Sequence, residues 1–254
     1  MQKSIKVLLS LFLTTWLAIG FTTVKAQEKS IKSKLDISAD IMSRYIWRGR
    51  NLGGASPSIQ PNLKYSCGNF AIGAWGAYSF SHTITQQEAD LYATCTMASL
   101  VSITATDYFF PHEDSLPNHY FNYNEDKTGH VIEVSAKFLG TEKVPISLMV
   151  AINVYGADTK KLDGDNMYST YIELGYGFKV KEIVCNAFLG FTTNKPETEK
   201  GETGYYGNGP GVVNLGITAT RNIRITDSFS LPLSASLITN PQAENIFLVF
   251  GISL

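Results

Sequence analysis

Charge is scarce in this chain. Only 17% of its 254 residues are Asp, Glu, Lys or Arg, against about a quarter in soluble domains. The formal net charge of −1 leaves no surplus with which to hold nucleic acid. Three cysteines cannot close a disulfide framework, and their spacing matches no zinc motif. The 21 Gly and 9 Pro show no triplet period, which excludes a collagen-like chain. After residue 26 there is no run of 18 apolar residues, so no membrane-spanning helix is expected. Apolar residues as a class are plentiful: 44% are hydrophobic and 12% aromatic, which excludes intrinsic disorder.

Lys3 and Lys6 precede an apolar stretch from Val7 to Phe21, and Val24-Lys25-Ala26 ends on a small residue before Gln27. A basic start, a short hydrophobic run and a small residue at the cut predict a cleavable secretory signal over residues 1–26. The alternative, a membrane anchor, is disfavoured because the run falls short of the ~20 apolar residues a spanning helix needs. The expected mature chain, residues 27–254, holds 18 basic and 22 acidic residues. It is exported and slightly acidic.

From there the chain alternates apolar and polar residues almost throughout, the period-2 signature of strands. Leu35, Ile37, Ala39 and Ile41 alternate with Asp36, Ser38 and Asp40, and the same phase runs on to Tyr45 and Trp47 against Arg44 and Arg48. Further strands are predicted near 59–66, 70–80, 88–95, 101–106, 132–138, 146–154, 168–179, 183–191, 213–220, 230–237 and 246–254. Pro61 weakens the 59–66 segment as a central strand. Val213, Leu215, Ile217 and Ala219 are assigned to the apolar face of the tenth. The count is twelve, and an even number suits a single-chain transmembrane barrel.

A β-sandwich would alternate in the same way. Connection lengths favour the barrel. The links at 110–128, 156–166 and 192–211 are long, whereas those at 66–69, 97–100, 139–144 and 180–182 are tight. Short turns at one end and longer loops at the other are the barrel arrangement, with Arg221–Ser228 a longer turn than the rest. Tyr45, Trp47, Tyr78, Phe80, Phe109, Phe110 and Tyr168 fall toward the long-loop ends. Tyr65, Phe138, Tyr176 and Phe178 fall toward the turns, predicting two aromatic girdles. The expected fold is an all-β, antiparallel transmembrane β-barrel of about twelve strands in the outer membrane of a Gram-negative bacterium. A soluble sandwich is the runner-up.

Several aromatic-rich phrases resemble the TorF-type family, bacterial outer-membrane proteins that carry a porin label and have a poorly defined function. They are Ser43-Arg44-Tyr45-Ile46-Trp47-Arg48-Gly49, Asp107-Tyr108-Phe109-Phe110-Pro111, Tyr168-Ser169-Thr170-Tyr171-Ile172-Glu173-Leu174-Gly175-Tyr176 and Asn240-Pro241. The resemblance covers most of the mature chain and implies an outer-membrane barrel with a porin-like role. The last strand also resembles the signal read by barrel-assembly machinery, although it ends in Leu254 with Phe250 four residues earlier.

If the apolar phase faces lipid, the polar phase faces the lumen. The candidate pore-lining residues are then Asp36, Asp40, Arg44, Arg48, Lys64, Glu88, Asp90, Glu133, Lys137, Glu173 and Lys179. Buried charges persist only when paired or hydrated, so these either line a wet path that biases passing solutes or pair across the lumen and plug it. The expected partners are membrane lipid, the assembly machinery and small polar solutes; no cofactor, metal or catalytic residue is assigned. Two other functions compete: a non-conducting barrel presenting loops such as 110–128 for adhesion or partner binding, and a barrel-borne lipid hydrolase. For the latter, His82, His112, His119 and His130 lack a well-placed Ser and orienting carboxylate. His112, Glu113, Asp114 and His119 cluster in one loop, as exposed polar loops do by chance. Asp163-Gly164-Asp165 resembles a calcium loop but has Leu174 where the closing acid belongs. Gly207–Gly211 reads as a flexible loop.

Overall fold

The computed structural model describes residues 33–81, 87–111, 118–125 and 127–254. The expected signal segment and the loop residues His82, His112, Glu113 and Asp114 lie outside them. In chain order the strands are β1 (Ser33–Met42), β2 (Ile46–Trp47), β3 (Arg50–Asn51), β4 (Ser58–Cys67), β5 (Phe70–Ser79), β6 (Glu88–Met97) and β7 (Val101–Phe109). There follow β8 (His130–Phe138), β9 (Ile146–Gly156), β10 (Thr170–Val180), β11 (Ile183–Thr192), β12 (Gly211–Arg224), β13 (Ser230–Asn240) and β14 (Asn245–Ser253). Twelve of them form a closed antiparallel barrel, each pairing with its neighbour in sequence and β14 returning to β1. The other two, β2 and β3, form a separate hairpin.

Register explains why the alternation closes a ring. Leu148, Leu174, Leu189 and Leu215 stand side by side on β9 to β12. Ile37, Leu63, Ala74 and Leu91 do the same on β1, β4, β5 and β6. These rows point outward, with Leu189 and Ala74 half-buried and the others exposed, as are Tyr65, Tyr176 and Phe250. The intervening residues point inward, where Thr94 meets Thr104 at 2.9 Å and Thr218 meets Ser236 at 2.8 Å. A continuous exposed apolar band of this kind marks a surface that is covered by a membrane or a partner. A sandwich would instead have buried it between two layers.

Closure is shortest at the seam. β1 and β14 share three register pairs, from Asp40 with Ser253 to Met42 with Gly251. The seam is lengthened by backbone bonds between Ala39 and Leu254 and from Ser43 N–H to Phe250 O at 2.8 Å.

The structure corrects the alternation in four places. The first strand ends at Met42 and does not continue to Arg48; the chain turns inward and forms the β2–β3 hairpin. Tyr45 and Trp47 therefore leave the proposed girdle: Tyr45 is buried against Leu52 and Ala77, and Trp47 packs on inward-facing rings. Val213 is also inward, packed with Ala151, Tyr171 and Tyr206, because the β11–β12 register shifts between Gly190 and Phe191. An inserted residue of this kind reverses the facing of the strand beyond it. Phe109 does face outward but is covered by Tyr120 and His130.

Candidate functional site

The hairpin occupies the barrel interior. Gly49 lies against the Val213 carbonyl of β12, Asn240 Nδ2 on β13 donates to the Gly49 carbonyl at 3.3 Å, and Trp47 meets Tyr108 of β7. Only a segment inside the ring reaches the inner faces of strands that far apart. Its tip is a two-residue turn in which Arg48 and Gly49 both have positive φ, 50° and 77°, the geometry of a tight type I′ hairpin. A side chain at Gly49 has no room: its Cβ would sit 2.0 Å from the Val213 oxygen.

Arg48 pins this hairpin to the wall. Its Nη1 and Nη2 donate to the two carboxylate oxygens of Glu133 at 2.5 and 2.9 Å. Nη1 also donates to the Tyr206 hydroxyl at 2.6 Å, which in turn donates to Glu133 at 3.2 Å. Tyr108 supplies a further hydroxyl to Glu133 at 3.2 Å. The guanidinium faces the Trp47 and Tyr171 rings, 4.5 and 4.6 Å from their centres. The fork matches a carboxylate bidentately while its faces stack on aromatics, a combination lysine cannot supply. Burial pushes the Tyr206 hydroxyl well above the usual phenol range, so it remains a donor to Glu133.

The same belt continues on both sides. Tyr171 donates to Glu173 at 2.5 Å, and Asn214 Nδ2 donates to both, at 2.9 and 3.3 Å. On the other flank Tyr45 donates to Glu88 at 2.7 Å, with Asp90 two residues on along the same face of β6. Arg50 lies over Tyr205 at 4.8 Å. Asp90 Oδ1, Asn153 Oδ1 and Asn214 Oδ1 are buried without a partner among the described residues.

Of the sequence candidates, the structure brings Arg48 and Glu133 together directly, and places Glu88, Asp90 and Glu173 in the surrounding belt. Asp36, Asp40, Lys64, Lys137 and Lys179 share the inward phase of their strands, with Asp36 directly opposite Lys64 and within ion-pair distance of Lys34. Arg44 sits in the bend between β1 and β2. Tyr45, Trp47, Tyr206 and Arg50 were missed as lumenal groups. The Trp-Arg-Gly-Arg spacing was the available signal, since Gly after Arg at a hairpin tip permits the positive φ.

A second cluster lies on the outer wall. His130 keeps the outward phase expected of it but is fully buried beneath the 118–125 segment. Nδ1 is 2.7 Å from Asp107 Oδ1 and Nε2 is 2.5 Å from the Tyr120 carbonyl, while Tyr123 stacks on the ring at 4.1 Å. A carbonyl only accepts, so Nε2 carries a proton. Both nitrogens are thereby engaged, and among the described residues neither has a side-chain hydroxyl as its partner. Of the other calcium- and loop-motif residues, Asp163 Oδ1 caps the Asp165 N–H at 3.0 Å, a local turn contact.

A protein-family model described as "Bacterial protein of unknown function (Gcw_chp)" matches residues 27–208. No curated protein matches. Among solved structures, a KdgM porin aligns with a TM-score of 0.44 at 8% identity, covering 87% of this chain and 98% of that one. A mutant of the Rh. blastica porin aligns with a TM-score of 0.38 at 12% identity, over 78% of this chain and 55% of its own.

Proposed function

From the premise that this chain belongs to the Gcw_chp family of bacterial proteins of unknown function, we propose that it is an outer-membrane barrel through which small polar solutes diffuse. The observation that carries this reading is the division of faces: an unbroken exposed apolar exterior around an interior of Thr, Ser, Asn and paired charges. The inward hairpin makes the passage a narrow one, bounded by Arg48, Arg50 and the aromatic rings on one side and the Ser- and Asn-bearing walls elsewhere. The phrase Ser43–Gly49, quoted for its TorF-type likeness, is the segment that supplies this constriction, in keeping with that family's porin label. The charged groups of the inward face that stay partly exposed, from Asp36 and Lys64 at one end to Glu173 at the other, bias which ions pass.

Planar-bilayer recording tests the proposal. Purified barrel should give discrete, small current steps, and Arg44→Glu should move the reversal potential in a salt gradient toward cation preference. Absence of steps from correctly inserted barrel would overturn the proposal and leave the loop-presenting and lipid-hydrolase readings.

A further inference from the structure

A groove of about 630 Å³ runs along the outward face beside the β1–β14 seam. Its floor follows from register: Ala219 and Ala235 face each other across β12 and β13, between neighbouring rows of larger residues. Leu233 and Phe250 form its sides, and Ile41 closes it across the seam. Arg221 stands at one end, on the outward face near the short-turn side, its side chain 55% exposed. One guanidinium nitrogen reaches Glu182 Oε2 at 2.8 Å in the β10–β11 turn. A guanidinium has five donors, so most remain to be met.

We infer that this groove holds one glycerophospholipid of the periplasmic leaflet, its phosphate on Arg221 and an acyl chain along the Ala219–Ala235 floor. This rests on the membrane-barrel reading above. Three observations select the occupant. The groove is continuous with the exposed apolar band, so hydrocarbon is what it meets. Its volume of about 630 Å³ is far more than a water or a small ion needs. Its single cation lies at the edge of the band, where phosphates reside and where a planar fork binds them bidentately.

Native mass spectrometry of detergent-extracted barrel, delipidated and then offered phosphatidylglycerol or diacylglycerol, tests the inference. Wild type should retain one phosphatidylglycerol and at least tenfold less diacylglycerol. Ala235→Phe, and independently Ala219→Phe, fill the floor and should lower retention at least tenfold. Arg221→Glu should remove the preference for the phosphate-bearing lipid. Ala105→Phe, outward on β7 away from the groove, should retain lipid as wild type does, and heat-modifiable migration confirms that each variant is folded. Equal retention by the filled variants, equal retention of both lipids by wild type, or dimer masses in place of a lipid adduct would overturn it. A barrel that inserts into bilayers yet retains no lipid defeats this inference alone; a chain soluble without detergent defeats the membrane reading beneath it.

Discussion

Replacing Arg48 by Ala should release the hairpin. The substitution removes two charge-assisted bonds to Glu133, at 2.5 and 2.9 Å, and two aromatic contacts. It also strands a carboxylate whose side chain is only 2% exposed with nothing but two tyrosine hydroxyls. Breaking a buried ion pair from one side costs about 3–5 kcal/mol. That is roughly two orders of magnitude or more in the ratio of docked to released hairpin, since about 1.4 kcal/mol is tenfold. Single-channel conductance should rise, and the urea midpoint of the barrel in lipid vesicles should fall. Adding Glu133→Gln should recover much of the stability by removing the stranded charge, while the enlarged conductance persists. Wild-type conductance and midpoint in Arg48→Ala would refute the claim that this ion pair holds a constriction in place.

Gly49→Ala makes the same test without removing a charge. The new methyl meets the Val213 carbonyl at 2.0 Å and the turn requires positive φ, so conductance should rise as it does for Arg48→Ala; an unchanged current would contradict the seating. His130→Phe keeps the ring stack but leaves the Tyr120 carbonyl without its donor and Asp107 with the Tyr123 hydroxyl alone. It should cost about 1–3 kcal/mol and speed protease cleavage within 118–125, and unaltered cleavage would contradict the claim that His130 holds that segment down. Glu202 accepts backbone N–H bonds from Glu197 and Leu162, which hold its carboxyl below the usual carboxylate range. That tie is complete at neutral pH and is lost as pH falls through the lowered value. Amide protection at Leu162 and Glu197, corrected for intrinsic exchange, should therefore drop once Glu202 is protonated; protection unchanged across the carboxyl's own titration would contradict it.

The wall of this molecule was legible because side chains on a strand obey a period of two, and a closed sheet with one apolar face leaves no other arrangement for rows such as Leu148–Leu174–Leu189–Leu215. The inward hairpin was not legible from the same signal. Tyr45 and Trp47 alternate with Arg44 and Arg48 as a continuing strand would, and a short hairpin alternates too. Only Gly49, which lets the chain reverse, separated the two readings. Val213 misled for a related reason, since a bulge near Gly190 and Phe191 leaves no mark in composition. Arg48 and Glu133 were each identified as inward charges, but their pairing spans 85 residues and depends on where the hairpin turns. His130 was placed on its correct face, while its cover comes from a loop whose path no periodicity encodes.

The central claim is that the apolar phase meets hydrocarbon and the polar phase meets water. Nitroxide labels placed singly at Leu215, Leu237 and Leu148, and at Thr218, Ser236 and Ser147, test it in reconstituted bilayers by comparing collisions with oxygen and with a water-soluble nickel chelate. Oxygen-dominated relaxation is expected at the three leucine positions and nickel-dominated relaxation at the other three. Labels at the leucine positions that are shielded from both reagents, as between two packed sheets, would contradict it.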